Sequence, residues 1–258
     1  MCKVMSIVSM KGGVGKTTTT VNLGASLAAM NLKTLVVGLD PQGGIAASFG
    51  FEPSHTSYSG LYEVIMDGAD AVQSLCETKM RNLSALVANI CSNEEEEDFF
   101  NVIKDDIMKL NEVVFPLRNS FDYILIDCPP NLGPLTTSAM AVSDSLIIPV
   151  QCEYFSLPTI NRVLCQARKV KSTFNHHLTI EGFLITMVNK RARLTQYIIE
   201  HMRKNFKNNV LETTIPRNIR LAEIPKFKEP VILIDILSTG AQAYIKLARE
   251  IHSKRTNN

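Results

Sequence analysis

The chain has 258 residues, of which 45 % are hydrophobic and 20 % charged, with 27 lysines and arginines set against 25 aspartates and glutamates. That length and mixture suit one large α/β domain with ample core. No apolar run reaches the roughly 18 to 20 residues of a membrane span, and the small net charge means that any nucleic-acid surface must be a local patch. The start, Met1-Cys2-Lys3-Val4-Met5, runs straight into a strand-like stretch, so no signal peptide fits. Six cysteines without a Cys-x-x-Cys pair read as scattered free thiols in a reducing cytosol.

The first apolar run, Val4–Val8, predicts a strand, and Lys16–Met30 predicts a helix. Between them lies Ser9-Met10-Lys11-Gly12-Gly13-Val14-Gly15-Lys16-Thr17-Thr18. A glycine-rich turn on a strand-to-helix switch aims backbone N–H groups and the positive helix end at a phosphate. Lys16 suits the β and γ oxygens and the Thr17 hydroxyl suits Mg²⁺. Met10 stands where the usual G-x-x-x-x-G-K-[ST] pattern has glycine, and a second lysine, Lys11, follows it. Repulsion between Lys11 and Lys16 is offset when both face a polyphosphate. The loop resembles the deviant Walker A motif, in which the first lysine reaches a partner subunit's nucleotide.

Further runs at Thr34–Leu39, Leu83–Val87, Tyr123–Ile126, Ser145–Val150 and Thr179–Val188 predict strands, several apolar at consecutive positions as in sheets buried on both faces. Helices are expected at Asp98–Phe115, Pro134–Val142, Leu157–Phe174, Leu194–Phe206 and Gly240–His252. The alternation predicts a doubly wound, mostly parallel α/β sheet with helices on both faces. It forms a single domain over residues 1–258, with 253–258 a frayed, disordered tail. Asp40 closes the second strand before Pro41-Gln42-Gly43-Gly44, and Asp127 closes the run Tyr123–Ile126. Carboxylates at the carboxyl ends of buried strands sit where ligands bind in open α/β sheets. Asp127 suits Mg²⁺; Asp40, on a flexible loop, suits an attacking water. The acidic run Asn93–Asp98 reads as a solvated helix start and His176-His177 as a surface pair. Late in the chain lie Lys190, Arg191 and Arg193, then Arg217, Arg220, Lys226 and Lys228. Spacing alone leaves these open between a solvated face and a duplex-DNA footprint.

The blocks Lys11–Ser26 (KGGVGKTTTTVNLGAS), Leu39–Gly43 (LDPQG), Phe121–Pro130 (FDYILIDCPP), Ile148–Leu157 (IPVQCEYFSL) and Ile215–Pro225 (IPRNIRLAEIP) follow in order along the chain. Together they resemble the ParA/Soj family of DNA-partition ATPases, P-loop NTPases of the deviant Walker A type, in its single-domain form. The resemblance implies ATP and Mg²⁺ as ligands, hydrolysis of ATP to ADP and phosphate, and a cytoplasmic, nucleoid-associated protein. It also implies an ATP-dependent homodimer, non-specific double-stranded DNA and a ParB-like stimulating partner. By the same resemblance Lys11 is the intersubunit lysine, Lys16 the phosphate lysine and Asp40 the hydrolysis-supporting residue. Gly12 faces the partner subunit. Gly13, Val14, Gly15 and Thr18 complete the phosphate loop, with Asn189, Pro216 and Asn218 near the adenine. Thr17, Asp40 and Asp127 form the Mg²⁺ set, and Arg191 and Arg220 match the family's DNA-contacting arginines, with Lys246 and Arg249 on the last helix as weaker candidates. The family's second strand usually ends Asp-x-Asp-Pro-Gln-Gly-Asn; Gly38 and Gly44 replace its first Asp and its Asn, which implies a slow ATPase. The alternative within the clan is a MinD-like, membrane-associated positioning ATPase. Against it, the apolar stripe of the last helix reads as a packed core face. A metal-cluster carrier is disfavoured because no second ligand can be placed with Cys128.

Overall fold

The computed structural model describes residues 2–55, 57–152, 156–189 and 191–256. Lys190, Glu153–Phe155 of the fourth family-like block, and the last two residues of the expected tail lie outside them. The strands are β1 (Lys3–Ile7), β2 (Thr34–Gly38), β3 (Cys76–Glu77), β4 (Leu83–Leu86), β5 (Tyr123–Asp127), β6 (Ser145–Gln151), β7 (Thr179–Val188) and β8 (Val210–Pro216). They hydrogen-bond into one sheet in the order β3-β4-β2-β5-β1-β6-β7-β8. Every pairing is parallel except the short antiparallel one between β3 and β4.

The consecutive apolar residues of the strands are explained by this arrangement, because both faces of the sheet are covered. Val4, Leu35, Val37, Ile124 and Ile126 point into one core layer; Met5, Ile7, Val36 and Leu125 point into the other. Against the first layer pack α3 (Leu61–Met66), α4 (Asn93–Asp105), α5 (Lys109–Leu117), α6 (Pro134–Val142), α7 (Ser156–Thr173) and α8 (Arg193–Phe206). Against the second pack α1 (Lys16–Ala29), α2 (Gly44–Phe49), α9 (Ile219–Ala222), α10 (Ile224–Phe227), α11 (Val231–Ile234) and α12 (Thr239–Thr256).

The structure corrects three expectations. The helix expected over Asp98–Phe115 is two helices. Asp106 leaves helical backbone at φ −131°, and its carboxylate accepts a hydrogen bond from the Met108 N–H at 2.9 Å. This local turn competes with the helix and ends it. Strand β8 has no counterpart among the expected strands, because Val-Leu-Glu-Thr-Thr-Ile-Pro is too polar to read as an apolar run; it sits on the sheet edge, where polar positions are tolerated. Residues 253–256 of the expected tail are helical. Helix α12 continues through Thr256, held by Arg255, which stacks over the Tyr123 ring and donates to the Asp122 carbonyl at 3.0 Å.

Other readings agree with the structure. Ser92 caps α4 by accepting from the Glu95 N–H, with Glu94, Glu95 and Glu96 in the first turn. His176 and His177 are exposed in a turn. The apolar stripe of α12, Ala241, Tyr244, Leu247 and Ile251, is buried.

Helix α1 lies unusually close to the sheet at Gly24. A Cβ there would meet Val36 Cγ1 at 2.7 Å, and the short β-branched valine has no rotamer freedom to yield. Replacing Gly24 by alanine should therefore destabilise the protein by about 1–3 kcal/mol. In Gly24→Ala/Val36→Ala the two changes should be less than additive in chemical denaturation, and simple additivity would refute the close-approach argument.

Candidate functional site

The phosphate loop leaves the carboxyl end of β1 and enters α1 at Lys16, with the Val8 N–H bonded to the Ile147 carbonyl at the start of the turn. Gly13 and Gly15 adopt φ of +71° and +92°, conformations that favour glycine, and Gly15 is the residue from which α1 begins. A partner remote in sequence fixes the loop from below: buried Thr186 of β7 donates to the Val14 carbonyl at 2.9 Å.

Lys16 and Lys11 occupy different environments. Lys16 is buried, and its ammonium donates to the Lys11 carbonyl at 3.3 Å. Burial pulls its pKa down, with nearby Asp127 opposing the shift. Lys11 is exposed at the rim, where its ammonium donates to Gln151 Oε1 at the end of β6, 3.3 Å away.

Asp127 ends β5 between β1 and β2, in register with Ile7 and Gly38, and is completely buried. The Thr17 hydroxyl donates to its Oδ2 at 2.6 Å and the Thr20 hydroxyl reaches its Oδ1 at 3.5 Å. Burial nevertheless pushes the carboxyl pKa up to about 7, against the pull of Thr17 and Lys16, and Asp40 adds to the rise. A hydroxyl and a carboxylate oxygen in contact are the hard donors that Mg²⁺ takes. A buried carboxylate of raised pKa is a group that a divalent cation would return to its charged form. The Thr17–Asp127 pair therefore fits the ion.

Asp40 faces this pair from the turn after β2. Its Oδ1 accepts from the Gln42 N–H at 3.1 Å and its carbonyl from the Gly43 N–H at 3.0 Å, so it both shapes the turn and brings charge to the site. Gly44 opens α2 directly against Thr17: a Cβ there would lie 3.0 Å from both Oγ1 and Cγ2.

Beside the loop, a cavity of about 250 Å³ is lined by Gly15, Thr18, Met187, Pro216, Arg217 and Asn218, among others. Pro216, Asn218 and Thr18 thus share one cavity. Asn189 is not among the lining residues. It is exposed, and its amide oxygen accepts from the Arg191 N–H at 3.1 Å within its own loop. Sequence reasoning missed Thr186, Gln151 and Tyr244, whose hydroxyl lies 3.2 Å from that of Thr19. No local motif marks Thr186 or Tyr244, and Gln151 lies within the fourth family-like block without being singled out by it.

The three residues expected at DNA lie apart in character. Arg191 and Lys246 are exposed. Arg220 is shared between Glu223, at 3.0 Å, and Asp235, at 3.7 Å, which reduces its free positive field.

A family model described as an AAA domain matches residues 2–180, more than half of the chain. The sporulation initiation inhibitor protein Soj of Bacillus subtilis is 40 % identical over 251 residues, covering 97 % of this chain and 98 % of the relative. The chromosome partitioning protein ParA of Myxococcus xanthus is 38 % identical over 254 residues, covering 98 % and 89 %. Among solved structures, the septum site-determining protein MinD of Pyrococcus horikoshii, complexed with Mg-ADP, superposes with a TM-score of 0.80 at 29 % identity, covering 97 % of this chain and 96 % of that one.

The Asp127 environment fixes the sign of a pH effect. A carboxyl whose pKa rises from 3.8 to about 7 on folding binds its proton more tightly folded than unfolded. Its contribution to stability is full below the unfolded value and is lost as pH rises through the folded one. Nucleotide-free wild type should therefore lose thermal stability relative to Asp127→Asn between about pH 4 and about pH 7. Calorimetry of both proteins across that range checks it; parallel curves would mean that Asp127 is ionised throughout.

Proposed function

The chain belongs to the ParA/Soj family of partition ATPases, and from that premise we propose that it is an ATP-switched DNA-segregation protein. In this reading it binds ATP with Mg²⁺, pairs with a second copy, holds duplex DNA without sequence preference, and releases it when a ParB-like partner stimulates hydrolysis to ADP and phosphate. It would act in the cytoplasm on the nucleoid. The observation that carries the reading is the division of labour between two lysines of one loop. Lys16 is folded into the base of its own phosphate cradle, while Lys11 stands exposed at the rim beside Gln151. A cation in that position suits a nucleotide across a subunit boundary.

The loop amides of Gly12 to Thr18 and the Lys16 ammonium would bind the β and γ phosphates. Thr17 and Asp127, with Asp40 opposite, would hold Mg²⁺, which supplies charge neutralisation when bound. Asp40, on a turn bracketed by glycines, would orient water toward the terminal phosphate. Pro216 and Asn218 would meet the base in the cavity beside the loop. Asn189, whose Oδ1 accepts from the Arg191 N–H, would join them through its amide NH2. Arg191 and Lys246 offer phosphate contacts directly, and Arg220 with a positive field reduced by Glu223 and Asp235. The membrane-positioning alternative gains nothing from α12, whose apolar residues are buried in the second core layer. Among the described residues no helix is long and apolar enough to cross a membrane.

The test is DNA binding by wild type, Lys11→Ala, Arg191→Ala and Arg220→Ala, with no nucleotide, ADP or ATP, over a salt series. ATP should select for DNA binding, and Lys11→Ala should bind ATP yet sediment as a monomer. Arg191→Ala should reduce affinity about tenfold or more and lower the salt slope by about one, for the phosphate it no longer neutralises. Arg220→Ala should cost less. Equal binding in all nucleotide states would remove the switch from the proposal.

A further inference from the structure

Away from the phosphate loop, the segment between α2 and α3 meets the start of α4 at a cluster that the proposed chemistry does not use. His55 lies in that segment, Glu95 in the first turn of α4, and Cys91 four residues before it. One ligand atom from each of the three lies within 4.8 Å of the other two. The imidazole is held on both sides: Nδ1 contacts Glu63, and Nε2 lies 3.0 Å from Glu95 Oε1.

Glu63 is itself a fixed group. It is buried, its Oε1 accepts from Asn89 Nδ2 at 2.8 Å, and its Oε2 accepts from the Gly60 N–H at 2.7 Å. Asn89 also accepts from the Ser54 N–H at 2.8 Å, which anchors the backbone next to His55. The Cys91 N–H donates to Glu95 Oε2 at 2.7 Å, which brings the thiol-bearing residue to the same carboxylate.

We propose that His55, Cys91 and Glu95 form a transition-metal site of the zinc class, with Glu63 as the carboxylate that orients the histidine. Imidazole nitrogen, thiolate sulfur and carboxylate oxygen are the donor set zinc prefers, and a fourth position remains for water. A carboxylate on the far nitrogen of a ligating histidine fixes its tautomer and raises its basicity. Bonds of about 2.0–2.3 Å place tetrahedral ligands about 3.3–3.8 Å apart. The Nε2–Oε1 spacing is already near that value, and Cys91, exposed on the surface, needs only a side-chain rotation to close the rest. Metal binding forms the Sγ–metal and Nε2–metal bonds and releases to solvent both the thiol proton and the Nε2 proton shared with Glu95. Hydrogen bonding alone accounts for His55, Glu63 and Glu95, but it leaves no role for the Cys91 thiol beside them.

The experiment titrates the nucleotide-free full chain with Co²⁺, reads the absorption spectrum, and then competes with Zn²⁺. We expect one Co²⁺ per chain, tetrahedral visible bands and a thiolate-to-metal charge-transfer band, all displaced by Zn²⁺. Cys91→Ser should abolish the charge-transfer band. His55→Ala and Glu63→Gln should each weaken Zn²⁺ binding about 10- to 100-fold. Cys165→Ser, which alters the other exposed thiol, should leave the spectrum unchanged. Circular dichroism identical to wild type confirms that the variants are folded. A spectrum without the thiolate band, or one indifferent to both Cys91→Ser and His55→Ala, overturns the site. Failure here is independent of the nucleotide-switch reading, which rests on other residues.

Discussion

Asp127 is carried to the carboxyl end of a central strand by register, opposite Ile7 on one side and Gly38 on the other, and has no contact with solvent. Burying a carboxylate is costly unless it is paired and hydrogen-bonded. Here the partners are the Thr17 hydroxyl and, at longer range, Lys16, itself buried with a lowered pKa. Each charge partly offsets the other's desolvation, yet burial still dominates the Asp127 pKa. A cation at Thr17 and an anion at the loop amides would complete the balance. Ligand binding and stability are therefore expected to be linked through the same few atoms.

The two positions that depart from the family's second-strand pattern belong to the same close contact. Gly38 ends β2, where a Cβ would meet Ile45 Cβ at 3.1 Å; Gly44 opens α2, where a Cβ would meet Thr17 at 3.0 Å. Ile45 is the residue after Gly44, so both glycines admit the same short helix. Space that side chains would fill is taken up by backbone approach of α2 to the phosphate loop. Asp40 lies between these glycines, and its position is set by the turn hydrogen bonds of Gln42 and Gly43. The consequence is a small, closely fitted switch segment whose geometry is governed by packing against Thr17.

What could be read in advance follows the range of the interactions. Central strands announce themselves by continuous apolar runs, and the phosphate loop, Asp40 and Asp127 are each marked by immediate neighbours. Edge strand β8 carries polar residues that an edge permits, and α9 to α11 are four residues each, too short to show a helical period. The break after Asp105 depends on a side-chain turn that apolar spacing does not encode. Gln151 and Thr186 reach the phosphate loop across 140 and 172 residues, and Tyr244 reaches Thr19 of α1 across 225. His55 and Cys91 likewise meet only because Glu63 and Asn89 shape the intervening chain. In these cases the signal is tertiary, and no spacing rule in a single chain contains it.

The distribution of these contacts also bears on how a nucleotide could be sensed at the surface. Arg217 and Asn218 line the cavity beside the phosphate loop. Asn218 caps α9 by accepting from the Arg220 N–H at 2.8 Å, and its amide donates to Thr239 at the start of α12. Part of the cavity wall and the position of Arg220 therefore belong to one short segment, which a side-chain hydrogen bond ties to the entry of α12. Helix α12 in turn meets α1 through the Tyr244 and Thr19 hydroxyls, returning to the helix that begins at Lys16. A base pressing on Asn218 would act on a basic side chain two residues away without any long-range relay. Arg220 is shared by Glu223 and Asp235, so such a displacement would act on an arginine held by two carboxylates.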